Sequence, residues 1–149
     1  MIYLVALSVL IIDQISKNLI LNEMVIPKTI EILPFFNLVL AYNTGVSFSM
    51  FSNNNPYILS VFALAVCACL MWWLKSEQDK TTRIGLALII GGAVSNVIDR
   101  FLYGAVVDFL DFYIGSYHWP TFNVADSAIC IGAFLICIRS VFMKREKKQ

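Results

Sequence analysis

Hydrophobic residues form four long runs along the chain, at roughly residues 2–21, 57–74, 84–103 and 122–142. Each run has about the 20 residues that a helix needs to cross the hydrocarbon core of a bilayer. Polar and turn-forming residues are concentrated between the runs. We therefore predict four transmembrane helices within a single membrane domain that covers residues 1–149.

The segment at about residues 22–55 has a composition typical of β-strands. Residues 29–32, 36–42 and 46–51 are rich in β-branched and aromatic side chains. Turn residues separate them, namely Pro34 and the Asn-Thr-Gly sequence at 43–45. We predict a small sheet on the bilayer surface, so the fold class is an α-helical polytopic membrane protein with four transmembrane helices and a small β-sheet.

Composition supports lipid as the surroundings of the chain. Hydrophobic residues make up 59% of the chain and charged residues only 14%, whereas about a quarter of the residues in a soluble domain are charged. The net charge of +1 creates no strong field that would attract nucleic acid. We expect contact with membrane lipid, no nucleic-acid partner and a monomeric protein.

Cysteine usage does not indicate a metal site. All four cysteines fall inside the predicted spans, with a spacing that is not typical of zinc ligands. We interpret them as small packing residues and expect neither a metal nor an organic cofactor. These cysteines are Cys67, Cys69, Cys130 and Cys137.

Basic residues predict the orientation in the membrane. Three lie at residues 75–83 and four at 144–148, whereas residues 104–121 contain none and residues 22–56 contain only Lys28. Loops that remain in the cytoplasm carry an excess of Lys and Arg. We therefore expect both termini in the cytoplasm and the β-rich segment on the outer side, as an extracytoplasmic sheet.

Charged residues inside the predicted spans lie at one depth. Measured from the cytoplasmic ends at about 1.5 Å per residue, Asp13 is roughly 18 Å deep and Lys17 roughly 24 Å deep. By the same rise, Asp99 and Arg100 are roughly 23 Å deep, and Asp126 is roughly 24 Å deep. Ionisable groups inside a membrane are costly and usually functional, so this common layer near the outer face is a candidate site.

Some of these groups have an evident structural role. Asp13 and Lys17 are one helical turn apart and can pair with each other. Each of Asp13, Lys17 and Asp99 has an opposite charge within reach, so we favour an interhelical structural function. Arg100 is open between that function and binding to a carboxylate or a backbone carbonyl, and Asn96 shares a helix face with Asp99 and Arg100.

Asp108 and Asp126 have no cation within helical reach and differ from the others. The short return between the third and fourth spans can bring these carboxyls together. Two carboxyls in a site of low dielectric constant retain one proton between them. Such a pair can activate water as a general base and protonate a departing amine as a general acid.

Two alternatives to this pair are open at the level of spacing. Asp126 is also in the position of a residue that caps the fourth helix, and Asp111 is a rival for Asp108 if that segment is helical. Because a helix N-terminus favours a charged carboxylate, we expect Asp108 to hold the shared proton more often than Asp126.

Five sequence motifs occur in order along most of the chain, namely DQISK at 13–17, NTGVSFS at 43–49, GGAVSNVIDR at 91–100, GAVVDF at 104–109 and FNVADS at 122–127. They resemble the motifs of the lipoprotein signal peptidases, also called signal peptidase II. Five ordered motifs in a chain of this length are highly specific.

The resemblance implies an aspartic endopeptidase of the bacterial inner membrane, with its active site at the outer face. Its substrate would be a prolipoprotein modified with diacylglycerol, cleaved just before the lipidated cysteine. Asp108 and Asp126 would form the catalytic dyad. The groups that orient the substrate or the dyad would be Asn43, Asn96, Arg100 and Asn123. Asp13, Lys17 and Asp99 would be structural.

The chain departs from the family pattern at Val46 and Ser47, where two alanines are frequent, and at Ser95, where glycine is frequent. We expect all of these positions to lie close to the substrate path.

Two other classes of function compete with the peptidase. Charged residues in the membrane also mark ion-coupled transporters, but here they are confined to one side and no internal repeat is present. A structural subunit would use the same charges only to hold helices together. Exchanging Asp108 and Asp126 for Asn separates these classes.

Overall fold

Four long helices dominate the structure, a computed structural model that describes residues 1–24, 29–45 and 56–146. All four are long and apolar enough to cross a membrane, which confirms the predicted spans. Their bounds differ from the predicted ones by a few residues, because polar residues continue the helices beyond the apolar runs. The helices are α1 (Ile2–Glu23), α2 (Pro56–Ser76), α3 (Lys80–Tyr103) and α4 (Val124–Glu146).

Helix α3 lies at the centre of the bundle and packs against the other three helices. Of its most apolar stretch, 56% is buried inside the protein, compared with 17% for each of the other helices. Large apolar side chains on the outer helices, such as Leu4, Phe62 and Phe134, point away from the bundle. This is the arrangement expected when lipid is the surrounding solvent.

Glycines allow the backbones of α3 and α4 to approach closely. A Cβ added to Gly132 would lie 2.5 Å from the carbonyl oxygen of Gly85, and one added to Gly92 would lie 2.5 Å from that of Ala125. Small residues at helix interfaces are typical of membrane bundles, where packing replaces the hydrophobic effect. The contact at Gly92 fixes the position of the start of α4 against α3.

Both connections at one end of the bundle contain β-strands, and we call this end the sheet end. The strands are β1 (Ile30–Leu33), β2 (Phe36–Asn43), β3 (Val106–Ile114) and β4 (Tyr117–His118). They form one antiparallel sheet in the order β1-β2-β3-β4. Since β2 precedes α2 and β3 follows α3, the pairing of β2 with β3 joins the two halves of the chain.

The predicted sheet was therefore incomplete. Strands near 29–32 and 36–42 were predicted, and the third predicted strand, at 46–51, lies outside the described residues. No strand is predicted at 104–121, where β3 and β4 occur. The apolar run from Val106 to Leu110 is interrupted only by Asp108, so it lacks the regular alternation that indicates a half-buried strand.

The described core divides into two apolar clusters with polar residues between them. One cluster, built around Leu86 and Ile90, lies far from the sheet. The other lies at the sheet end, where Ile20, Met24 and Phe109 pack together. The buried charges of α1 and α3 lie between these clusters, in agreement with the common depth calculated from helical rise.

We expect Gly132→Val to destabilise the bundle, because its side chain would meet the backbone of α3. The expected loss is about 1–3 kcal/mol, the usual cost of overpacking a core. Thermal unfolding of the purified protein in detergent measures this loss. The neighbouring Ala133→Val, on the exposed side of α4, is the control and should unfold close to the wild-type temperature. Equal stability of the two variants would contradict the close approach of the helices.

Candidate active site

The ammonium group of Lys17 lies at the centre of a buried polar cluster between α1 and α3. It is 2.6 Å from Asp13 Oδ2, 2.7 Å from Asp99 Oδ2 and 2.9 Å from Asn96 Oδ1. Three acceptors match the three hydrogens of an ammonium group. We call this set, together with Ser95, the Lys17 cluster. The contact expected between Asp13 and Lys17 is present, and α3 supplies the other acceptors.

Asp13 links three helices. Its Oδ2 accepts a hydrogen bond from the hydroxyl of Ser95 at 2.7 Å, and its Oδ1 accepts one from the backbone N–H of Ala125 at 2.8 Å. That N–H belongs to the first turn of α4, where backbone donors have no partner within their own helix. Asp13 therefore holds the start of α4 from a different helix.

Ser95, one of the departures from the family pattern, belongs to the Lys17 cluster. It is completely buried, donates to Asp13 and accepts from the amide of Gln14 at 3.0 Å. That it lies close to the path of a substrate stays a prediction. The other departures from the family pattern, at 46 and 47, lie outside the described residues.

Asp99 connects the Lys17 cluster to the sheet. Its Oδ1 accepts from Gln14 at 2.8 Å, and its Oδ2 accepts from the backbone N–H of Val107 at 3.1 Å. Val107 immediately precedes Asp108, so this contact positions the backbone of β3 beside the candidate carboxyl. Asp99 is completely buried, and the ion pair with Lys17 compensates its charge.

The side chain of Asn123 joins Asp108 to the start of α4. Its Nδ2 donates to Asp108 Oδ1 at 2.7 Å, and its Oδ1 accepts the backbone N–H of Asp126 at 2.9 Å. This is the geometry of a helix N-cap. The capping residue of α4 is thus Asn123, and Asp126 is left with its carboxyl directed elsewhere.

That carboxyl is bound by Asn96, whose Nδ2 donates to Asp126 Oδ1 at 2.8 Å. The Nδ2 of Asn123 lies 3.2 Å from Asn96 Oδ1, so the two amides connect the two carboxyls. We call Asp108 and Asp126 the carboxyl pair. The structure therefore brings together the two aspartates that the sequence analysis selected.

Strand β3 supplies Asp108, and β2 supplies the second donor to it. Asn43 Nδ2 donates to Asp108 Oδ2 at 3.0 Å, while Asn43 Oδ1 accepts the N–H of Gly45 at 3.0 Å. A bulge between Leu38 and Ala41 shifts the register of β2 against β3. The extra residue places Asn43 on the same face of the sheet as Asp108.

Asp111 lies in a separate cluster on the opposite face of β3. Asn37 Nδ2 donates to its Oδ2 at 3.1 Å, and the Nδ1 of His118 is 2.9 Å from its Oδ1. The segment is a strand, so side chains three residues apart point to opposite faces. Asp111 is therefore not part of the carboxyl pair. Neither Asn37 nor the contact with His118 was predicted, because strand register cannot be read from the sequence.

Arg100 lies beside the carboxyl pair without an ion pair to it among the described residues. Its guanidinium donates to the carbonyl oxygens of Gly45 at 2.8 Å and Asn96 at 3.3 Å. Its Nε is buried and has no hydrogen-bond partner in the described part of the chain. Arg100 thus retains one buried donor that no described residue accepts from.

Burial is the main cause that raises the pKa of Asp108, to about 7, and the nearby carboxylate of Asp126 raises it further. The amides of Asn43 and Asn123 oppose this shift by donating to the ionised form. A carboxyl with a pKa of about 7 can hold a proton near neutral pH. Among the described residues, no group of three His, Cys, Asp or Glu side chains could hold a metal ion.

Comparison with known proteins identifies the family. The model of the signal peptidase (SPase) II family matches residues 5–142. The chain belongs to the signal peptidase II family. Its members are aspartic proteases, so this protein is a hydrolase. The family assignment therefore favours the peptidase over the two competing classes of function, a transporter and a structural subunit.

Individual relatives in the signal peptidase II family agree over most of the chain. A lipoprotein signal peptidase of Alteromonas mediterranea is 42% identical over 143 residues, covering 93% of this chain and 78% of that protein. One from Vibrio cholerae is 45% identical over 140 residues, covering 89% of this chain and 82% of that protein.

Solved structures support the same assignment. A bacterial membrane enzyme determined by the in meso method at 2.3 Å superposes with a TM-score of 0.88 and 31% identity, covering 98% of this chain and 90% of that one. A second, at 1.9 Å, gives a TM-score of 0.81 and 32% identity over 91% of this chain and 89% of that one. Together with the four apolar helices, this indicates a multi-pass protein of the bacterial inner membrane.

We expect the unfolding free energy to fall as the pH rises from about 4 to about 7. The pKa of Asp108 is about 7 in the folded protein and about 3.9 in an unfolded chain. The folded state therefore binds more protons across this range, and raising the pH favours unfolding by an amount on the order of a few kcal/mol. Thermal unfolding in detergent at pH 5 and pH 8 measures the effect.

The control for this pH dependence is Asp108→Asn, which cannot titrate at that position. Its unfolding temperature should change less between pH 5 and pH 8 than that of the wild type. If both proteins show the same pH dependence, the raised pKa of Asp108 is wrong.

Proposed function

We propose that this protein removes signal peptides from prolipoproteins that carry diacylglycerol on a cysteine, and that it cleaves just before that cysteine. The relatives named above are lipoprotein signal peptidases. A lipid-modified signal peptide is itself a membrane segment, so its cleavage site lies at the membrane surface. The carboxyl pair lies at the sheet end of the bundle, where α3 ends and α4 begins, and this position supports the proposal.

We infer that Asp108 and Asp126 are the catalytic residues. The observation that carries this assignment is the arrangement of Asn123, which donates to one carboxyl and caps the helix that bears the other. Both carboxyls are thereby held at fixed positions, with Asp108 buried and Asp126 half-buried. Aspartic proteases need such a pair, with one carboxyl protonated and the other ionised.

The chemistry follows from these two protonation states. The ionised Asp126 takes a proton from a water molecule, whose oxygen attacks the carbonyl carbon of the scissile peptide bond. The protonated Asp108 gives its proton to the carbonyl oxygen as the new C–O bond forms. When the tetrahedral intermediate collapses, one of its two hydroxyl groups returns a proton to Asp108 as the C=O bond re-forms. The C–N bond breaks, and the proton taken up by Asp126 passes to the leaving amine nitrogen. The raised pKa of Asp108 supports its role as the acid.

Polar side chains around the pair suit a peptide substrate. Arg100 has a buried donor without a partner among the described residues, and a substrate carbonyl oxygen is an acceptor of the right kind. Asn43 and Asn123 hold Asp108, and Asn96 holds Asp126. Their amide groups donate to the ionised form of the carboxyls and so let the carboxyl pair remain partly charged.

We expect Asp108→Asn and Asp126→Asn each to lower kcat by at least about 10²–10⁴-fold, because each removes one partner of the acid–base pair. The measurement is cleavage of a purified diacylglyceryl-modified prolipoprotein by the protein in detergent. Mass spectrometry of the product should give the lipidated cysteine as the new N-terminal residue.

Asp111→Asn is the matched control, since it makes the same chemical change three residues away on the opposite face of β3. It should retain activity after correction for the fraction of folded protein. Full activity of either Asp108→Asn or Asp126→Asn would refute the dyad, and a product that begins at another residue would refute the proposed cleavage position.

We also propose that the sheet end faces outward and that both termini lie in the cytoplasm, as the basic residues indicate. Alkaline phosphatase is active only outside the cytoplasm. Inserted at Gly115, between β3 and β4, it should be active, and fused after Gln149 it should be inactive. A green fluorescent protein fused after Gln149 provides the reciprocal control and should fluoresce. The opposite pattern would reverse the orientation.

A further inference from the structure

We propose that Lys17 is a positioning residue for Asp126 that acts through the amide group of Asn96. This proposal rests on the function proposed above, because it assigns the consequence of the contact to the step that Asp126 performs. It assigns to Lys17 more than the structural role expected from the sequence, in which the residue only compensates the charges of neighbouring aspartates.

The charge of Lys17 determines the direction of the Asn96 amide. An ammonium group has donors and no acceptor. The Lys17 ammonium, 2.9 Å from Asn96 Oδ1, therefore requires the oxygen of that amide to face α1. The amide nitrogen must then face the opposite way, where it donates to Asp126 Oδ1 at 2.8 Å.

Asn96 Oδ1 has a second donor besides Lys17, the side-chain amide of Asn123. Asn123 Nδ2 lies 3.2 Å from Asn96 Oδ1, and the same nitrogen is 2.7 Å from Asp108 Oδ1. Asn123 is thus a weak and shared donor for Asn96. Hydrogen bonds from a charged donor are roughly twice as strong as those between neutral groups. Lys17 is consequently the main determinant of the Asn96 orientation.

The side chain of Lys17 is itself held in a fixed position. Its ammonium is held by two carboxylates, Asp13 and Asp99, at 2.6 and 2.7 Å, and its side chain is only 2% exposed. A side chain fixed in this way cannot move to follow Asn96. The amide is therefore placed against a stationary charge, and Asp126 is placed against the amide.

The test is a double-mutant cycle that combines Lys17→Met with Asn96→Ala, measured as kcat and KM on a lipidated prolipoprotein with the full-length protein. If Lys17 acts through Asn96, each single change lowers kcat, on the order of 10²-fold as for a misplaced catalytic group. The double variant should then be no slower than the slower single variant, within about twofold. KM should change much less than kcat.

Ser95→Ala is the matched control. It removes the hydrogen bond that Ser95 donates to Asp13 within the same cluster and leaves the contact between Lys17 and Asn96 in place. It should lower the unfolding temperature with little loss of kcat. A purely structural function for Lys17 predicts instead that Ser95→Ala and Lys17→Met reduce kcat together with stability.

Lys17→Met leaves two buried carboxylates without a cation, so the variant alone can fail to fold. In that case the cycle is measured in an Asp99→Asn background, where loss of Lys17 leaves the net charge of the cluster as in the wild type. Multiplicative losses of kcat in the double variant, or an unchanged kcat in Lys17→Met, overturn the proposal. Failure of the proposed function would appear differently, as full activity of Asp108→Asn or Asp126→Asn.

Discussion

A lysine ammonium buried in a membrane bundle must have a complete set of acceptors, since removing a charge from water costs several kcal/mol and no water is at hand to compensate it. Lys17 obtains its acceptors from α1 and α3 together. The other ends of those acceptors hold the rest of the site. Asp13 binds the start of α4, Asp99 binds the backbone of β3, and Asn96 binds Asp126. The site is therefore built outward from one charge.

Much of the fold could be predicted because lipid imposes strong constraints on a sequence. A run of about 20 apolar residues has few alternatives to a spanning helix, and helical rise correctly grouped the charged residues at one depth. The strand β3 was missed because neither its length nor its apolar pattern distinguishes it from a connection. Its partner β2 lies more than 60 residues away in the chain, and such pairings depend on tertiary contacts that no local pattern contains.

The sequence predicted which residues lie together at the candidate site. It did not predict the hydrogen bonds that connect them. Sequence spacing suggested Asp126 as a helix cap, yet Asn123 has that function, because the cap depends on where the helix begins within a residue or two. Asp111 remained a rival of Asp108 until the segment proved to be a strand. The hydrogen bond from Lys17 to Asn96 could not be predicted, because it depends on how α1 is rotated against α3. The bulge in β2 could not be predicted either, because it depends on the register of β2 against β3.

The spacing of Asp13 and Lys17 has a consequence for how the protein is made. The two residues are one turn apart on α1, so their ion pair can form within that helix alone. When α1 enters the membrane, α3 and α4 have not yet been synthesised, and the partners Asp99 and Ala125 do not exist. A charge neutralised inside its own helix costs less to insert than two separate charges. The same pair that organises the finished site thus lets the first helix enter the bilayer before the rest of the protein is available.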